Sequence, residues 1–217
     1  MSSVEKAHRI AHTVQSEVGT TIVEQAGIRL ADTPAPLWQS LVAANLLSTR
    51  ISASIAVDAA RELNKAGGNT AEGMAELTWQ ERVDALGRGH YVRYDESTAT
   101  RLGECAQRAL DRYRGDLRRM DAAKNKDRRA LVTELQEFKG IGPTGADIFC
   151  REVQQVWDWL RPYADKATLK GAQALGLPQT GDELGALVPG DDLAAFFAGL
   201  VHIGRDRDAA ERVKAAS

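Results

Sequence analysis

Apolar residues return at three- and four-residue steps along almost all of this chain, a spacing that fits one face of an α-helix and not the alternation of a half-buried strand. Leu37, Leu41, Ala44, Leu47, Ile51 and Ile55 draw one such stripe, enough for about five turns or for two shorter helices. Leu102, Ala106, Ala109 and Tyr113 draw a second, Leu131, Leu135 and Phe138 a third, and Leu193, Phe196, Phe197, Leu200 and Val201 a fourth. Stretches that read as strands, such as Thr20 to Val23, are short and isolated. The chain is therefore expected to be all-α. Its 217 residues, 43% of them hydrophobic, suffice for one sizeable core or two small lobes. No apolar run approaches the ~20 residues that span a bilayer, and no solenoid period is present, so membrane and repeat architectures drop out.

Total charge says little about partners: Lys+Arg 28 against Asp+Glu 30 leaves a formal −2. Its distribution says more. Between Arg101 and Ala130 ten Lys/Arg stand against five Asp/Glu, which reads either as a solvated helix surface or as a phosphate-binding face. Cys105 and Cys150 are the two cysteines, too few for a four-thiolate zinc or iron-sulfur site, and no secretory leader stands at the N-terminus. Reduced thiols in a cytoplasmic, nucleoid-associated protein are expected. His8, His12 and His202 are scattered, and no metal site is expected.

The most informative segment is Leu135-Gln136-Glu137-Phe138-Lys139-Gly140-Ile141-Gly142-Pro143-Thr144-Gly145-Ala146-Asp147-Ile148-Phe149, which looks like a helix-hairpin-helix. Gly140 and Gly142 permit positive φ and let another backbone approach without a Cβ in the way. Pro143 suits the first turn of the second helix, where its missing N–H costs nothing. The N–H groups that open that helix have no partners in the helix itself, so the turn is a place for an anion, phosphate above all. Lys139, Gly140, Ile141, Gly142 and Thr144 are the candidate phosphate-binding residues.

On these residues, and on three further landmarks in order, the chain resembles the helix-hairpin-helix DNA glycosylases of the endonuclease III superfamily, across roughly residues 37–177. Leu46-Leu47-Ser48-Thr49-Arg50 is similar to the family's segment that feeds a side chain into the gap left by an everted base. Leu86-Gly87-Arg88-Gly89-His90-Tyr91 resembles its pocket-side glycine segment, and Ala164-Asp165-Lys166-Ala167-Thr168-Leu169 falls where the family keeps a helix-starting aspartate. The resemblance implies an all-α, two-lobed fold with an interlobe cleft. It also implies a division into an N-terminal helical segment over 1–36 packed on the second lobe, a helical lobe over 37–130, the hairpin and aspartate region over 131–178, and a C-terminal helical segment over 179–217.

Excision of a base breaks the C1′–N bond through a transition state with positive charge on the sugar, and a carboxylate beside C1′ stabilises that charge. By the resemblance Asp165 is that carboxylate; read alone, an aspartate there is an ordinary N-cap. Bifunctional relatives place a lysine two residues beyond the second hairpin glycine, where it forms a Schiff base. Here that residue is Thr144, so the implied enzyme is a monofunctional glycosylase that leaves an abasic site. The segment after Pro178 carries no cysteine, so the family's iron-sulfur cluster is not expected. No cofactor is required by this reading, and a monovalent cation at the hairpin is compatible with it.

Because the chemistry needs a flipped nucleotide, a plug and a base pocket are also implied. Ser48 and Arg50 are candidates at the plug, and His90, Tyr91, Arg93 and Tyr94 for the pocket, with core packing the rival role for the tyrosines. Arg108, Arg112, Arg118, Arg119, Lys124 and Arg128 would grip phosphates away from the chemistry. The expected partner is duplex DNA carrying a lesion or mismatch, bound by a monomer. Two other readings stay open: a non-catalytic helix-hairpin-helix DNA-binding protein, and an abasic-site lyase using Lys139 or Lys166.

Overall fold

The computed structural model describes residues 2–216, and among these every regular element is helical. The α-helices are α1 Ser3–Val18, α2 Ile22–Gln25, α3 Pro34–Leu47, α4 Ala53–Leu63, α5 Ala71–Glu76, α6 Trp79–Arg88 and α7 Asp95–Tyr113, followed by α8 Asp121–Lys124, α9 Arg128–Leu135, α10 Pro143–Val153, α11 Lys166–Ala174, α12 Gly181–Gly185, α13 Leu193–Ile203 and α14 Arg207–Ala216. None is long and apolar enough to cross a membrane.

Two compact units emerge, one formed by residues 22–149 and the other by residues 1–21 with 150–217. The segment read from sequence as one region, 131–178, is thus shared. Its hairpin lies in the first unit, its aspartate in the second, and α10 runs from one into the other.

In the 22–149 unit the stripe from Leu37 to Ile55 is two helices, because the chain breaks after Leu47 and Ser52 caps α4 by accepting from Ile55 N. The first of them is not striped at all. Leu37, Trp38, Leu41, Val42, Ala43, Ala44, Asn45 and Leu46 are all buried, as in a helix at the centre of a core. Trp38 donates from Nε1 to Gly68 O at 3.1 Å, giving its one polar atom a partner inside that core. Arg82 is buried too, and its guanidinium donates to the carbonyls of Ala99, Met74 and Leu77, closing carbonyl ends that the short α5 leaves open.

In the other unit, α13 is the central element, with Phe196, Phe197, Leu200 and Ile203 buried against Ile10 and Val14 of α1, Ala172 of α11 and Val213 of α14. A Cβ on Gly171 would lie 1.8 Å from Leu200 O, so glycine there lets α11 approach α13 backbone to backbone.

Candidate functional site

The hairpin turn joins α9 to α10 through Gly140, whose φ of +84° lies in the left-handed region, where glycine carries no steric penalty. Ile141 N donates back to Phe138 O at 3.0 Å, and Ala146 N to Gly142 O at 3.0 Å. Among the described residues the N–H groups of Gly140, Gly142 and Thr144 donate to no group of the chain. Lys139, Gly140, Pro143 and Thr144 are exposed and Gly142 half-buried, whereas Phe138 and Ile141 are buried beneath them. The sequence therefore produces a turn with an apolar underside and unsatisfied donors above. That arrangement binds an oxyanion without any side-chain charge.

Three side chains from α3 and α7 support the turn from below. Asn45 donates from Nδ2 to Lys139 O at 2.8 Å, and the Cys105 thiol donates to the same oxygen at 3.2 Å. Burial pushes that thiol up to about 12, so it stays protonated as the bond requires. Arg101 passes under Gly140, with Cδ 2.9 Å and Nε 3.0 Å from where a Cβ would stand. The carbonyls of Phe138 and Lys139 are thus engaged within the chain, and the turn needs no monovalent cation to complete its hydrogen bonding. Among the described residues no group of three or more His, Cys, Asp or Glu side chains is placed to hold a metal.

Ser48 is half-buried and donates to Ala44 O at 2.7 Å. Its Oγ lies 2.5 Å from where a Cβ of Gly145 would stand, so the loop after α3 rests on the first turn of α10. Arg50, two residues on, is exposed. His90 is exposed with φ +61°. Arg93 is exposed with its guanidinium carbon 5.3 Å from the centroid of the half-buried Tyr94 ring, a cation–π contact. Tyr91 corrects the sequence-based expectation. It is 0% exposed, and its hydroxyl shares a hydrogen bond with Thr49 Oγ1 at 2.6 Å. Such a ring offers no face to a base; it anchors the loop that carries Arg50.

Asp165 stands at the N-cap of α11, as its sequence context predicts. Its Oδ1 accepts from Thr168 N and from Thr168 Oγ1, both at 2.8 Å. Its Oδ2 is paired with Arg151 Nη1, and the two side chains are only 4% and 5% exposed respectively. The loop leading into it is braced by Gln154, which accepts at Oε1 from Tyr163 N at 2.9 Å and donates to Tyr163 O at 3.3 Å. Asp165 is therefore a fixed, sealed carboxylate with both oxygens engaged.

No protein-family model matches the chain, and no curated protein matches it in sequence. Solved structures do resemble it. A trapped endonuclease III–DNA covalent intermediate, an estranged-adenine complex, is 13% identical with a TM-score of 0.51, covering 94% of this chain and 87% of that one. The H. pylori 3-methyladenine DNA glycosylase (MagIII) bound to 1,N6-ethenoadenine is 15% identical with a TM-score of 0.53, covering 93% of this chain and 98% of that one. The chain has the endonuclease III-like glycosylase fold.

Within that fold the basic segment is less available than its sequence suggests. Arg108 is paired with Glu137 and lies 5.7 Å from the Phe138 centroid, and Arg118 is held by Asp116 at 2.8 Å. Lys124 pairs with Asp121 at 3.1 Å, an exposed contact worth little. Arg112, Arg119 and Arg128 are exposed. Sequence reasoning missed Arg151, Asn45 and Arg101 as parts of the site. The one legible signal was Asn45, an amide in the middle of an otherwise apolar helix.

Proposed function

We propose that the chain is a monofunctional DNA glycosylase of base excision repair, hydrolysing the N-glycosidic bond of a damaged or mispaired base flipped out of duplex DNA. The observation that carries this is the hairpin turn: exposed, glycine-built, with three backbone N–H groups that donate to nothing in the chain. A backbone phosphate satisfies such donors, and DNA of any sequence supplies one. The fold shared with structures of DNA glycosylases supports the same reading.

In the reaction water forms a bond to C1′, the C1′–N bond breaks with its electron pair leaving on the base, and water's proton passes to solvent or to the departing base. Asp165 is the carboxylate proposed to stabilise the positive charge that develops on the sugar. Its fixed setting, with Oδ1 on Thr168 and Oδ2 on Arg151, supports an electrostatic role and not proton abstraction. Thr144 has no amine, which supports hydrolysis without a Schiff base. Duplex DNA with a lesion is the proposed partner, met by a monomer, with Arg50, His90, Arg93 and Tyr94 as the side chains proposed to contact the extruded site.

A second reading is favoured by the 4% exposure of the Asp165 side chain and its pairing with Arg151: a protein that grips duplex DNA and excises nothing. A panel of lesion-bearing duplexes separates them. The glycosylase reading expects release of at least one base type; salt-sensitive binding with no release of any base favours the binder. Lys139 and Lys166 are both exposed, so borohydride reduction on an abasic duplex tests the lyase alternative directly.

A further inference from the structure

Asn45 is 1% exposed, and its Oδ1 is buried with no hydrogen-bond partner. A buried, unsatisfied amide oxygen is a standing cost to stability that an apolar side chain of the same size avoids. What the amide does instead is hold the hairpin, through the 2.8 Å bond from Nδ2 to Lys139 O.

That bond fixes more than one atom. The Lys139–Gly140 peptide is trans, so its C=O and N–H point in opposite directions. With Lys139 O drawn down towards α3 and α7, the Gly140 N–H is turned the other way, to the exposed side of the turn. Gly140 itself has a φ of +84°, and glycine alone leaves this peptide plane nearly free to rotate. Some group has to select one orientation. Arg101 fills the space below Gly140 but makes no hydrogen bond to the Lys139 carbonyl; its Nη2 donates to Thr98 Oγ1 at 2.7 Å. The Cys105 thiol, at 3.2 Å, is a weak donor.

We infer that Asn45 is the positioning residue of the hairpin: its amide orients the Lys139–Gly140 peptide so that the Gly140 N–H faces a bound DNA phosphate. This rests on the phosphate-binding reading of the turn. The side chain touches no DNA. It converts a flexible glycine turn into a preorganised anion site, and the chain tolerates an unsatisfied oxygen for that purpose.

The variant that tests it is Asn45→Leu, close in shape and without the donor. Binding is measured by fluorescence anisotropy to a labelled duplex carrying one tetrahydrofuran abasic-site analogue, from about 50 to 200 mM salt, beside a thermal melt. The expected result is a melting temperature no lower than that of the unmutated chain, affinity lower by about tenfold or more, and a slope of log K against log salt shallower by about 0.9, one phosphate contact. A purely structural role lowers the melting temperature and leaves the slope in place, which overturns the inference, as does unchanged affinity. Should the leucine variant fail to fold, Asn45→Ser is measured identically and judged by the same slope. If the unmutated chain binds with no salt dependence, the phosphate-binding reading falls first. If it binds with the expected dependence and the variant matches it, only the role of Asn45 falls.

Discussion

Replacing Asp165 with asparagine is the natural test of a catalytic carboxylate, and the structure shows why the single substitution confounds chemistry with folding. Asparagine is as good an N-cap as aspartate, so the bond to Thr168 N survives. The ion pair does not. Arg151, 4% exposed overall, would keep a full charge opposite a neutral amide that can present an N–H donor to its Nη1. Removing one partner of a buried pair costs about 3–5 kcal/mol. For a chain of this size 1 kcal/mol shifts the melting temperature by about 2–4 °C, so Asp165→Asn should melt roughly 6–20 °C below the unmutated chain. Adding Arg151→Met removes the orphaned charge with a side chain that fills similar space, and most of the lost stability should return. The assay is calorimetry on all four members of the cycle, with single-turnover base release measured alongside. Excision that stays lost in the restabilised double variant marks Asp165 as catalytic, and excision that returns marks its loss as a folding effect. An Asp165→Asn variant that melts within about 1 °C of the unmutated chain would refute the reasoning, because the pair would then carry no load.

Gly140→Ala places a Cβ 2.9 Å from Arg101 Cδ at a φ of +84°; strain of about 1–2 kcal/mol should lower the melting temperature by roughly 2–8 °C and weaken duplex binding, both readable from one preparation. Cys105, pushed up to about 12 by burial, holds only roughly one thiolate in ten thousand near pH 8 and should not react with Ellman's reagent until denaturant is added. Borohydride reduction on an abasic duplex should trap no covalent adduct; an adduct that disappears in Lys139→Ala or Lys166→Ala would identify a lyase.

Legibility in the sequence followed the range of the interactions. The hairpin was readable because a glycine turn, a proline at the first helical position and the flanking apolar frame all lie within fifteen residues, and local backbone chemistry decides them. The N-cap role of Asp165 was readable for the same reason. Its partner was not: Arg151 sits fourteen residues earlier, with nothing in the spacing to pair the two. Tyr91 was misplaced because a tyrosine beside glycines suits a pocket and a core equally, and only the tertiary contact with Thr49 chooses. The stripe through Leu37 to Ile55 hid a break, since Ser48 to Ser52 keep helical spacing while turning the chain. Half of the basic face was spent internally, as with Arg108 on Glu137 and Arg118 on Asp116, because composition counts charges and cannot see their partners.

Single-turnover incubation of the unmutated chain with a set of duplexes, each carrying one alkylated, oxidised, deaminated or mispaired base, tests the central claim most directly. Base excision without strand cleavage predicts a free base and an intact abasic strand that breaks only on treatment with alkali, for at least one member of the set. Tight, salt-sensitive binding to every duplex with no base released from any would contradict it.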